Sequence, residues 1–223
     1  MSIAFFDLDL TLLSCNSATL WVRNELRLGN VGKGAAIRGA VWIRFYEWGF
    51  SSMERAIHQA ISTLEGTLES DFADRVEVFW EERIRQDVRP GAAAALSHHR
   101  DSGDRLVLLT SSTDYMARPV SRSLQLDDHL ANRLATRDGR FTGRAHLPLC
   151  YGAGKVELAE RYAQEQQASL SECSFYTDSY SDLPMLEVVG NPVAVHPDPR
   201  LNREARRRGW PVVCWDEETT CPT

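Results

Sequence analysis

Lysine is nearly missing from this chain. Only Lys33 and Lys155 occur among 25 basic residues, so arginine supplies almost all the positive charge. A lysine here is therefore a specific choice: a compact point charge where a planar guanidinium was the habitual option. Positive charge is itself in deficit, since 31 acidic residues leave a formal charge of −6. That argues against a nucleic-acid partner, which would call for a basic face. Paired cysteines are lacking as well. Cys15, Cys150, Cys173, Cys214 and Cys221 are odd in number, form no C-x-x-C pair and have no His at zinc spacing. Free thiols in a reducing cytoplasm are the expectation. No basic n-region precedes the first apolar run, so no signal peptide is read. Nor is there a membrane-spanning run: the most apolar stretch, 34–50, is broken by Arg38, Arg44 and Glu47. The expectation is a cytoplasmic protein without stable membrane insertion. No internal repeat is present.

What remains is ordinary globular material: 43% hydrophobic and 25% charged residues over 223 positions. That length suits one large domain, or one domain carrying an insert. The most informative stretch comes first. Ile3-Ala4-Phe5-Phe6 runs straight into Asp7-Leu8-Asp9-Leu10-Thr11. A run this short and this rich in Phe and Ile reads as a buried strand. In open α/β sheets ligands bind beyond the carboxyl ends of strands, where Asp7 would lie. Two acids held close repel by about 4 kcal/mol at an effective dielectric near 20. They need a cation, a shared proton or a chemical task, although a solvated acidic turn is the plainer alternative.

Residues 17–28, 33–48, 52–64 and 68–84 carry apolar residues at helical spacing, with no convincing strand among them. Strands are expected at 105–109, 174–177, 192–195 and 210–213. Helices are expected at 92–100, 115–124, 155–166 and 199–208, and a boundary at Pro90-Gly91. A hairpin, 132–136 with 140–144, is expected around Asp138-Gly139. His98-His99 reads as surface, and the tail 216–223 as frayed. Alternating strands and helices imply a parallel sheet covered on both faces.

Four features then recur at strand ends or helix starts. Asp7 and Asp9 close the first strand, Thr110 and Ser111 the second, and Asp178 the third, with Asp182 four residues on. Lys155 opens a helix after Gly152-Ala153-Gly154. Each fits one reaction. Asp7 is a candidate nucleophile toward phosphorus. Asp9 is a candidate general acid and then base. Thr110 and the Ser111 amide would hold phosphate oxygens near a helix N-terminus, and Lys155 would add positive charge. Asp178, with Asp7 and the Asp9 carbonyl, would make an all-oxygen site for Mg²⁺. Asp182 would steady a metal-bound water or Lys155.

These motifs resemble the haloacid dehalogenase superfamily, in its phosphoserine-phosphatase-like subfamily IB. They are Asp7-Leu8-Asp9-Leu10-Thr11, Leu108-Leu109-Thr110-Ser111-Ser112, Lys155, and Asp178-Ser179-Tyr180-Ser181-Asp182. The resemblance covers 1–15 and roughly 88–213. It implies an α/β fold: a doubly wound, Rossmann-like core (1–15 and 88–223) with a helical cap inserted at 16–87. It further implies a Mg²⁺-dependent phosphatase acting on a small phosphate ester through an aspartyl-phosphate. Phosphoserine, histidinol phosphate and phosphatidylglycerophosphate are substrates known in that subfamily. Asp9 and Asp178 argue against a dehalogenase, while a phosphotransferase or mutase stays open. A phospho-receiver-like binding module would place its acids before its hydroxyl and its lysine last, unlike this order. A sugar transferase shares only D-x-D. Two departures stand out. Thr177 replaces a glycine common before the last acidic motif, with little expected consequence. Ser14-Cys15-Asn16-Ser17 offers no acid where phosphoserine phosphatases proper carry a glutamate for the substrate's ammonium. In the cap, Trp42, Phe45, Tyr46 and Trp48 read as bundle core more readily than as a substrate groove, and Arg23, Arg27, Arg38 and Arg44 as solvated.

Overall fold

A computed structural model describes residues 2–30 and 53–216. Its strands are β1 Ile3–Phe6, β2 Arg105–Thr113, β3 Asp128–Asn132, β4 Leu134–Arg137, β5 Arg140–Ala145, β6 Ser174–Thr177, β7 Asn191–Val195 and β8 Val212–Val213. Six of them form one sheet in the order β3-β2-β1-β6-β7-β8, every pairing parallel. Parallel neighbours need crossovers, and helices supply them. Among the described residues these helices are α1 Ser17–Arg27, α2 Met53–Ser62, α3 Glu69–Phe79, α4 Pro90–Asp101, α5 Asp114–Leu124, α6 Ala153–Glu165, α7 Leu183–Val188 and α8 Pro199–Arg208.

The first strand shows why the sheet sits where it does. All four of its residues are buried. Ala4 and Phe6 join the core on one side, with Leu106, Leu108 and Trp80, while Ile3 and Phe5 join the other, with Val107, Phe175 and Ala159. The period of two divides an unbroken apolar run between two helical layers. Register then fixes the site. Phe6 lies level with Leu108 on one neighbour and Tyr176 on the other. Asp7, Thr110 and Asp178, each just beyond these pairs, emerge at the same sheet end.

Several expectations change. β2 continues through Thr113, with a register shift between Leu109 and Thr113; the hydroxyl motif is a bulged strand end, not a free loop. β3 is an unexpected strand, and its polar start, Asp128-His129, suits a sheet edge. Asn132 closes it, so the hairpin begins at Leu134 instead. Pro90 opens α4 at its first turn, where a missing N–H costs nothing, so the helix begins two residues before the expected 92. His99 is buried: its Nδ1 lies 2.7 Å from Asp104 Oδ2 and its Nε2 2.8 Å from the Tyr176 hydroxyl. Asp216 is no frayed end, because Arg89 Nη1 donates to both its oxygens at 2.5 and 2.6 Å. Cys15, Cys150 and Cys173 are free, but Cys214 is disulfide-bonded, so the expectation of free thiols throughout does not hold.

Within 17–87 the described residues hold α1, α2, α3 and a π turn, Trp80–Ile84, whose Trp80 is fully buried. The expected helix 33–48, Arg38, Arg44 and the rings Trp42, Phe45, Tyr46 and Trp48 lie outside the described residues, as do 217–223. The end of α2 and the start of α3 are sewn to the β4–β5 hairpin. Gly66 N–H donates to Phe141 O at 2.8 Å, Phe141 N–H to Thr67 O at 3.0 Å, and Glu69 N–H to Gly139 O at 2.9 Å. Phe72, Tyr115 and Phe141 meet edge to face, and the Tyr115 hydroxyl donates to Glu69 at 2.7 Å. No helix among the described residues is long and apolar enough to cross a membrane.

Candidate active site

After Phe6 the chain turns sharply. Asp9 is extended, but Leu10 takes φ 60°, ψ −2°, a left-handed conformation costing about 1 kcal/mol for a side chain of this kind. Two contacts hold it there: Leu10 N–H donates to Cys15 O at 3.2 Å, and Arg89 Nη2 to Leu10 O at 3.3 Å. The turn leaves Asp7 and Asp9 in one place. Asp9 Oδ1 accepts from Ser17 N–H at 2.6 Å, so its carboxylate sits on the positive start of α1.

Lys155 is the centre of the constellation. Its ammonium is 2% exposed and donates to Asp7 Oδ1 at 2.8 Å and to Asp182 Oδ2 at 2.7 Å. Thr177 reaches the same Asp182 oxygen with its hydroxyl at 2.7 Å. The turn that delivers Lys155 is tight. A Cβ on Gly154 would stand 2.0 Å from the Leu149 carbonyl oxygen, so only glycine fits there. Thr11 serves Asp178 twice: its hydroxyl donates to Asp178 Oδ1 at 3.2 Å and accepts the Asp178 N–H at 2.9 Å. Thr110 is buried and accepts from Ser112 N–H at 3.1 Å, while Ser111 is exposed.

The electrostatics follow from burial. Removal from water pushes the Asp7 carboxyl up to about 7, against the pull of Lys155. Burial likewise lifts Asp9 above the usual carboxylate range, opposed by Ser17. Asp178 is pushed up to about 8 by burial and then by the Asp7 and Asp182 charges. Burial works against charge on Lys155 too, but Asp182 and Asp7 outweigh it and hold the ammonium above its ordinary value. One buried cation therefore faces more negative charge than it balances.

A hard divalent cation fits that surplus. Lys155 and Thr11 engage Oδ1 of Asp7 and of Asp178, so Oδ2 of each is left for another partner among the described residues. Two carboxylates plus a backbone carbonyl form an oxygen donor set of the kind Mg²⁺ takes. Among the described residues no group of three or more His, Cys, Asp or Glu side chains is arranged to hold a metal, so any site here needs main-chain or water oxygens.

Sequence reasoning overlooked three supports. Thr177, expected to matter little, is fully buried and fastens Asp182. Asn132 donates to Ser111 O at 2.6 Å and accepts Cys150 N–H at 2.9 Å, tying the hydroxyl motif to the approach of Lys155. Arg89 clamps the turn at Leu10 to Asp216. A polar residue at a buried strand position was the one available signal, at Thr177.

Glu25, the first acid after Asp9, is 2% exposed and pairs with Arg75 Nε at 3.3 Å, so it is committed elsewhere.

A family model described as haloacid dehalogenase-like hydrolase matches residues 4–187. Phosphoserine phosphatase SerB1 of Mycobacterium tuberculosis is 30% identical over 214 residues, covering 94% of this chain and 69% of that protein. Histidinol-phosphatase of Neisseria meningitidis serogroup C is 27% identical over 217 residues, covering 95% and 98%. A crystal structure of a protein of unknown function from Bordetella pertussis Tohama I superposes with a TM-score of 0.88 at 29% identity, covering 95% of this chain and 97% of that one.

Proposed function

Since the chain belongs to the haloacid dehalogenase-like hydrolases and is a phosphatase of that family, we propose that it hydrolyses a small phosphomonoester through a phosphoryl group carried on Asp7. The observation that supports this most is the Lys155 ammonium bridging Asp7 and Asp182 inside the protein.

In the first half-reaction an Asp7 oxygen attacks phosphorus and the bond to the ester oxygen breaks. Asp9, held above the usual carboxylate range by burial, gives its proton to the departing oxygen. In the second half-reaction Asp9 takes a proton from water. The water oxygen attacks phosphorus, the bond to Asp7 breaks, and inorganic phosphate leaves. Lys155 holds Asp7 in position and sets positive charge beside the phosphoryl oxygens. Thr110 and the Ser111 amide bind those oxygens at the entrance to α5. Asp7, Asp178 and the Asp9 carbonyl would hold Mg²⁺, which when bound offsets the negative charge of the phosphoryl group. Asp182 acts as a positioning residue for Lys155. Residues 16–87 form a cap over this site, and 1–15 with 88–223 the core.

The relatives' names span phosphoserine and histidinol phosphate. The absence of an acid between Asp9 and the committed Glu25 disfavours phosphoserine, whose ammonium would lack a partner. The test is release of phosphate from p-nitrophenyl phosphate with Mg²⁺. Turnover that Asp7→Asn abolishes supports the reading; turnover that survives this change refutes it.

A further inference from the structure

A groove of about 650 Å³ runs between helix α2 and strand β5, lined by Arg55, His58, Gln59, Ser62, Arg144 and Leu147 among others. Among the described residues that line it none is acidic. That is notable in a chain of formal charge −6. Arginine elsewhere on the surface is mostly committed: Arg85 to Glu81, Arg118 to Asp114, Arg122 to Glu77, and Arg207 to Glu204. Among the described residues neither Arg55 nor Arg144 has an ion pair or hydrogen bond. Two unspent guanidiniums therefore share one concave surface with an imidazole.

The walls are fixed. A Cβ on Gly143 would come within 3.1 Å of Glu65 Cβ, and the 66–141 backbone hydrogen bonds lock α2 to the hairpin. A second lobe of about 490 Å³ shares His58 and Leu147 with the first and reaches Ala153 and Gly154. Gly154 immediately precedes Lys155, whose ammonium touches Asp7. Glu54 and Glu157 border this nearer lobe, so the positive charge is confined to the farther one.

Resting on the phosphatase reading above, we propose that the far lobe receives a second anionic group of the substrate, a carboxylate or phosphate remote from the ester being cleaved. The substrate class is then phosphomonoesters with an anionic tail. Arginine is suited to this because its planar fork meets such groups with two hydrogen bonds.

The test compares phosphomonoesters whose linear tails end in a carboxylate with esters of equal length ending in a hydroxyl. Wild-type protein with Mg²⁺ should show a lower KM for the carboxylate tail at one or more lengths. Replacing both arginines (Arg55→Ala with Arg144→Ala) should raise that KM about two- to thirtyfold, as expected for two exposed ion pairs. The expected kcat is nearly unchanged, and so is KM for the hydroxyl tail. Added salt should erode the preference in wild type alone. Equal KM for both tails at every length, or equal losses on both, would overturn the inference. Calorimetric titration of the corresponding phosphonates reads the groove without turnover. A tail preference there without phosphate release from any ester would sink the phosphatase reading and keep the groove. Phosphate release without any tail preference would do the opposite.

Discussion

Replacing Lys155 by methionine keeps the length and apolar stem of the side chain but removes its charge. Asp7 loses its only cationic partner among the described residues, and Asp182 keeps Thr177 alone. Breaking a buried ion pair from one side costs about 3–5 kcal/mol. In a protein of this size each kcal/mol moves Tm by about 2–4 °C, so the expected loss is about 6–20 °C. The loss should depend on pH. Asp7 already titrates near 7 when folded, against 3.8 for a free aspartate, because burial disfavours its charge. A carboxyl raised in this way binds more protons folded than unfolded, so it favours folding at low pH, and that contribution is lost as pH rises through the folded value. Without the pull of Lys155 the folded value climbs further. At pH 5 the carboxyl is then neutral and needs no partner; at pH 8 the full penalty falls. Thermal melts of metal-free wild type and Lys155→Met at both pH values should show the larger gap at pH 8. An equal gap at the two pH values, or one of less than about 2 °C at pH 8, would refute the reasoning.

Thr177→Val should cost about 1–2 kcal/mol in denaturant melts, by orphaning the Ser179 N–H and leaving Asp182 Oδ2 with Lys155 as its one remaining donor among the described residues, and should lower kcat, with Thr177→Ser restoring both. Asn132→Leu leaves the Ser111 carbonyl and the Cys150 N–H without their partner, and should raise KM for phosphate esters while costing about 1–3 kcal/mol. Metal-free wild type should itself lose Tm between pH 5 and pH 8, as Asp7 and Asp178 ionise near 7 and 8. Mg²⁺ should restore more of it at pH 8 than at pH 5, with proton release on binding measurable by calorimetry in buffers of different ionisation heat.

Much of the fold was open to reading because its signals are local. The run Ile3 to Phe6, the Asp138-Gly139 turn, and strands bounded by acids each declare themselves within a few residues. The site was legible for a related reason: parallel strands in register bring Asp7, Thr110 and Asp178 to one sheet end, so chain order alone grouped them. What stayed hidden acts across long separations. β3 is polar because it lies at an edge, and periodicity cannot see an edge. His99 resembles a surface residue until Tyr176, 77 residues away, closes over it. Arg89 finds Asp216 across 127 residues. Thr177 looked incidental because its partner lies across a turn whose shape only the folded chain sets.

The most direct measurement is acid-quench mass spectrometry of Asp9→Asn protein mixed with a phosphate ester and Mg²⁺. Without the base that activates water, the covalent intermediate should accumulate, so a single phosphoryl group should be found on Asp7 and be released by hydroxylamine. Phosphate release with no covalent adduct, or an adduct on any other side chain, would contradict nucleophilic attack by Asp7.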